Sequence, residues 1–103
     1  GEVFTSVPNN PPVAVASAPA TVQGLAGAVV DVELSAVGSY DPDGNPLTFV
    51  WSEGSTTLAT TVDPTRTALV GLGVGEHTLT LTVSDSRGGT STASVVVTVV
   101  DVA

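Results

Sequence analysis

Three carboxylates, Asp41, Asp43 and Asp85, are the side chains in this chain whose type and spacing could do chemistry. The first two lie in a run of turn formers, Asp41-Pro42-Asp43-Gly44-Asn45-Pro46, and the third opens the run Asp85-Ser86-Arg87-Gly88-Gly89. If both runs reach one end of a folded domain, carboxylates about 5 Å apart repel by roughly 3 kcal/mol per pair at an effective dielectric near 20. A divalent cation relieves that repulsion, and calcium suits such a site because it takes about six to eight oxygens in flexible geometry. The alternative is local: each Asp satisfies N–H groups of its own turn. An EF-hand is excluded, because the Gly of the first run comes two places early and its twelfth position is Ser52, not Glu.

Other polar candidates are bland. His77 is the single histidine, no cysteine accompanies it, and no G-x-S-x-G motif occurs. It is expected to pack or hydrogen-bond at the start of a strand, without a triad or a zinc set. Gly71, Gly73 and Gly75 precede neither a lysine nor a helix and read as turn glycines, not a phosphate cradle. Tyr40 sits in a turn and on neither apolar stripe, so it is expected to be exposed and is the candidate ligand-binding residue. No catalytic constellation emerges, and the chain is not expected to be an enzyme.

The elements that must position these residues are strands. Leu47, Phe49 and Trp51 alternate with Thr48, Val50 and Ser52, which places the three large residues on one buried face. A stacking platform for sugars is the less favoured reading of Phe49 and Trp51. Val30, Val32, Leu34 and Ala36 alternate in the same way, as do Leu79, Leu81 and Val83, and Ala93, Val95, Val97 and Val99. Weaker segments are Val13–Ala16, which Pro19 interrupts or confines to an edge, Thr21–Gly27, an edge strand over Thr56–Thr61, and Thr67–Leu72. About seven strands with regular turn signals and no helical period predict an all-β, immunoglobulin-like antiparallel sandwich. Residues 1–11 read as a linker or tag remnant and residues 12–102 as the domain, with the Pro pair Pro11-Pro12 at the boundary.

Composition narrows the partners. Ten acidic residues face two arginines and no lysine, for a net charge of -8. A polyanion would be repelled, so neither nucleic acid nor an anionic membrane surface is an expected partner. No apolar run approaches the roughly 18 residues of a membrane span, which reads as a soluble chain or a soluble part of a larger one, without membrane insertion. Without cysteine, stability must come from packing, alone or together with a metal. Thr and acidic residues alternating on the edges suggest protection from edge pairing and hence a monomer.

Three segments together resemble the PKD domain, an immunoglobulin-like sandwich of secreted and cell-surface proteins. They are Asn10–Ala14 (NPPVA), Gly38–Trp51 (GSYDPDGNPLTFVW) and Gly75–Gly89 (GEHTLTLTVSDSRGG). The chain departs from the family where many members continue W-D-F-G-D-G, since Trp51 is followed by Ser52, Glu53, Gly54 and Ser55. That departure resembles the subgroup found beside catalytic domains of chitinases and proteases, or repeated along surface proteins. The resemblance implies a weak structural calcium site on Asn10, through its backbone oxygen, with Asp41, Asp43 and Asp85. It also implies an extracellular bacterial or archaeal accessory module, whose partners are neighbouring domains of the same polypeptide. The alternative it implies is a module that binds polysaccharide or collagen and targets an adjoining hydrolase.

Overall fold

The computed structural model describes residues 9–102. Residues 1–8 of the expected linker lie outside that range. Seven strands form: β1 Thr21–Gly24, β2 Val30–Ser35, β3 Thr48–Glu53, β4 Thr56–Val62, β5 Thr67–Leu72, β6 Gly75–Ser84 and β7 Thr90–Asp101. They divide into a five-stranded sheet of order β1-β7-β6-β3-β4 and a two-stranded sheet, β2-β5. The expected immunoglobulin-like sandwich is the fold.

Period-2 alternation explains the layers. Phe49 and Trp51 of β3, Leu79, Leu81 and Val83 of β6, and Val97 and Val99 of β7 are buried from the larger sheet, with Leu47 just ahead of β3. Val32 and Leu34 of β2, with Val70 and Leu72 of β5, meet them from the smaller sheet. Trp51 and Phe49 are fully buried, so the core reading of both holds. Val30, Ala93 and Val95 are only half-buried.

Local irregularities have local causes. Between β3 and β4 the register moves from Trp51↔Ala59 to Ser52↔Thr57, which leaves Leu58 as the extra residue of a bulge. Leu58 and Ala59 are consequently both half-buried, and the alternation slips. Val13–Ala16 does not form a full strand. It leans on its neighbours through two isolated bridges, Val13↔Tyr40 and Ser17↔Ser35, and after Pro19 the chain restarts as β1.

β1 pairs parallel to β7, Thr21↔Thr98 through Gly24↔Asp101, and every other pairing is antiparallel. Gly24 permits that approach, since a Cβ there would stand 2.6 Å from Val99 Cγ1. The free edges differ in chemistry. Asp31 and Glu33 guard β2, whereas β4, Thr56-Thr57-Leu58-Ala59-Thr60-Thr61-Val62, carries no charge at all. The expectation of acidic residues on the edges therefore fails at β4, and also at the edge strands β1 and β5, which carry none.

Candidate functional site

The residues expected to do chemistry lie at the upstream end, where the chain enters. Thr48↔Ser84 pairing puts the turn ahead of β3 beside the β6–β7 hairpin, as the sandwich reading required. Within the turn, Asp41 Oδ1 accepts the N–H of Asp43 at 2.7 Å, and the Gly44 N–H donates to the Asp41 carbonyl at 3.0 Å. This is the Asx geometry that suits Asp before a Pro/Gly tight turn.

Asp43 faces the incoming chain. Its Oδ2 accepts the Asn10 backbone N–H at 2.7 Å and its Oδ1 accepts Asn10 Nδ2 at 3.0 Å. Asp85, buried at 1 % exposure, does the same one residue earlier. Its Oδ2 accepts Asn9 Nδ2 at 2.8 Å, and its Oδ1 accepts the Arg87 N–H at 2.7 Å and the Gly89 N–H at 2.9 Å. Burial pushes the Asp85 carboxyl up, but the bonds from Asn9, Arg87 and Gly89 outweigh it and hold the group below the usual carboxylate range. Gly89 must be glycine for this, since a Cβ would stand 2.5 Å from Asp85 Oδ2 and 3.0 Å from Asn9 Nδ2.

Two consecutive asparagines are thus held by two carboxylates from different loops. The expected metal set is divided between them: Asn10 joins Asp43, Asp41 supports Asp43, and Asp85 belongs to Asn9. Asn10 turns nitrogen donors, not its backbone oxygen, toward Asp43. Among the described residues no group of three or more His, Asp or Glu side chains is placed to hold a metal ion. N–H donors relieve the carboxylates here: those of its own turn for Asp41 and for Asp85 Oδ1, as the local alternative has it, but the distant Asn10 for Asp43 and the distant Asn9 for Asp85 Oδ2. Of the six oxygens of the three aspartates, Asp41 Oδ2 alone is buried without a hydrogen-bond partner.

Tyr40 is 54 % exposed, as expected for a residue off both stripes, and its backbone pairs with Val13 in both directions. Its neighbour Ser39 was not singled out by its sequence context, yet it is buried. Its Oγ accepts the Val15 N–H at 2.8 Å and donates to the Val15 carbonyl at 3.1 Å, which ties the incoming segment to the turn.

The sequence reading also passed over Asp63 and Arg66. Arg66 Nε donates to Asp63 Oδ1 at 2.8 Å and its Nη2 to Asp63 Oδ2 at 3.3 Å, while its Nη1 reaches the Ser39 carbonyl. The guanidinium also lies over the Phe49 ring, 5.3 Å from its centroid. Asp63 Oδ2 accepts the Leu47 N–H at 2.8 Å. The Arg66 bond, with a smaller contribution from Leu47, holds the Asp63 carboxyl below its ordinary value against the opposing effect of burial. The i,i+3 spacing of an Asp and an Arg across Pro64 was the available signal.

His77 lies at the other end. Both ring nitrogens are engaged, Nδ1 by Glu53 Oε2 and Nε2 by the Gly73 carbonyl, each at 2.7 Å. The hydrogen-bonding role expected of it is what the structure shows.

A family model described as a bacterial Ig domain matches residues 9–98. No curated protein matches the chain. Among solved structures, the PKD1 domain of Vibrio anguillarum Epp superposes with a TM-score of 0.65 at 22% identity, covering 91% of this chain and 99% of that one. A nucleoside hydrolase-related hypothetical protein from Saccharophagus degradans, described as associated with carbohydrate metabolism, matches with a TM-score of 0.62 at 28% identity. That match covers 88% of this chain but 26% of the other, so the chain corresponds to about a quarter of that protein. With a family match over nearly all of the described residues and the fold of a PKD domain, the chain belongs to the bacterial Ig domain family.

Proposed function

We propose that this domain is a non-catalytic extracellular module that spaces and orients neighbouring domains of a larger secreted or cell-surface protein. The observation that carries the proposal is the placement of the first and last described residues. Asn9 and Asn10 are pinned beside the β6–β7 hairpin, and β7 then runs the length of the sheet to Asp101 at the opposite end. There the Val102 N–H donates to the Gly24 carbonyl, so the departing chain is also held. Tension along that axis would load the parallel β1–β7 hydrogen bonds side by side, so that they resist together. Similarity to a segment of a much longer protein supports a role as one part among several.

The test places the domain between two fluorescent reporters, one before Asn9 and one after Val102. A narrow separation that broadens in an Asn9→Ala, Asn10→Ala double variant supports the spacer. A separation as broad as that of a flexible linker of equal length overturns it.

Polymer binding is the second reading, favoured by the exposure of Tyr40 and by the carbohydrate association of the Saccharophagus degradans relative. It has little aromatic surface to draw on, because Phe49 and Trp51 are spent in the core. Retention on insoluble chitin, cellulose and collagen, lost with Tyr40→Ala, would establish it. Calcium enters the proposal only as a ligand of Asp41, through its unpartnered Oδ2. Calorimetry that detects no heat in millimolar calcium would remove it.

A further inference from the structure

His77 opens β6 at the downstream end, with its ring between two oxygen acceptors. From β3 comes the Glu53 carboxylate, and from the β5–β6 turn the Gly73 carbonyl, each 2.7 Å from a ring nitrogen. From β7 the register partner is Val97, which has no charge. A neutral imidazole has one N–H and one lone pair, so it can satisfy only one of these acceptors and must face the other with a lone pair. The imidazolium satisfies both. The ring is 16 % exposed and Glu53 is 36 % exposed, so water competes only partly for the contacts.

From this geometry we infer that His77 is a proton-operated latch, which in its charged form ties the end of β3 to the β5–β6 turn and releases one of them when it deprotonates. The Gly73 carbonyl and, less strongly, Glu53 favour the proton and raise the ring above its usual 6.5, with burial opposing. Because the folded group holds its proton more tightly than the unfolded one, its stabilisation is complete below 6.5 and disappears as pH rises through the folded value. The latch therefore opens on the alkaline side. It loosens the end from which β7 delivers the chain and leaves the upstream asparagine contacts unchanged.

The test is an NMR titration of the whole domain that follows the His77 ring together with the Gly73, Val74 and Glu53 amides. The expected result is a ring that titrates above the free-histidine value, with both ring N–H signals visible below it. The protection factors of the Val74 and Gly75 amides, with the base catalysis of intrinsic exchange divided out, should fall at least threefold across the same titration, while those of Asp85 and Gly89 stay unchanged. In Glu53→Gln the midpoint should fall toward the ordinary value; Glu33→Gln, on the outer face of the other sheet, should not move it. A wild-type ring that titrates at or below the free value would overturn the latch, as would a protection factor at Val74 that ignores the ring. Neither readout depends on a variant that folds.

Discussion

At the upstream end Asp85 accepts N–H donors from Asn9, Arg87 and Gly89, whereas at the downstream end His77 stands between two acceptors, Glu53 and the Gly73 carbonyl. Both side chains tie a loop to a neighbouring segment. Their responses to pH are opposite. Asp85 lies below its ordinary 3.8, so its contribution is complete above that value and is lost as pH falls through the folded one. His77 lies above its ordinary 6.5, so its contribution is complete below that value and is lost as pH rises. The lesson is that a sandwich can close its two ends by the same local device and still expose each to a different condition. Acid opens the upstream end, and a rise in pH through the folded His77 value opens the downstream one.

Six changes break or sharpen this comparison. The largest strikes the layer on which both ends rest: Leu81→Ala empties a fully buried site and is expected to cost about 2–5 kcal/mol by urea denaturation, alike at acidic and alkaline pH. Arg66→Ala removes the paired bonds to Asp63, the link to the Ser39 carbonyl and the contact over Phe49, for an expected loss of about 2 kcal/mol. That loss should shrink as pH falls through the Asp63 titration, since Asp63 is also held below its ordinary value.

Gly89→Ala crowds the Asp85–Asn9 contact and is expected to cost about 1–3 kcal/mol. Asp85→Asn, compared with it, should flatten the fall in stability below the ordinary carboxylate pKa and leave the alkaline limb as it was. Glu53→Gln should do the reverse, with an effect within about 1 kcal/mol because the pair is partly solvated. If both variants altered the same limb, the two ends would not be independent. Smallest of all, Tyr40→Ala should change stability by less than about 0.5 kcal/mol, so that any loss of polymer retention reports on contact alone.

Much of the sandwich was legible because burial of one face imposes a period of two on the sequence. The stripes through β3 and β6 carried their core residues into the structure position by position, including Phe49, Trp51 and Leu81, and that of β2 did so from Val32 on. The β6–β7 hairpin was legible from Asp85-Ser86-Arg87-Gly88-Gly89, whose glycines and Asp bond locally. The site was read less well. Asp41, Asp43 and Asp85 were found, but their partners were not, because Asn9 and Asp85 are 76 residues apart and nothing in either neighbourhood names the other. Ser39, whose hydroxyl bonds Val15, was hidden for the same reason, as was Glu53, the partner that the His77 ring meets 24 residues away.

What the sequence by itself determined is therefore everything governed by neighbours along the chain: strand periodicity, the Asx turn at Asp41, the hairpin glycines, the acidity and the absence of thiol chemistry. These depend on backbone geometry and side-chain alternation over a few residues, which any segment carries with it. Tertiary structure alone decided that β1 runs parallel to β7, that the carboxylates meet asparagine amides at the upstream end, and that the single histidine faces two acceptors. Each of those outcomes depends on which strands become neighbours in the sheets. That choice is made by burying the whole core at once, and no local stretch of the chain contains it.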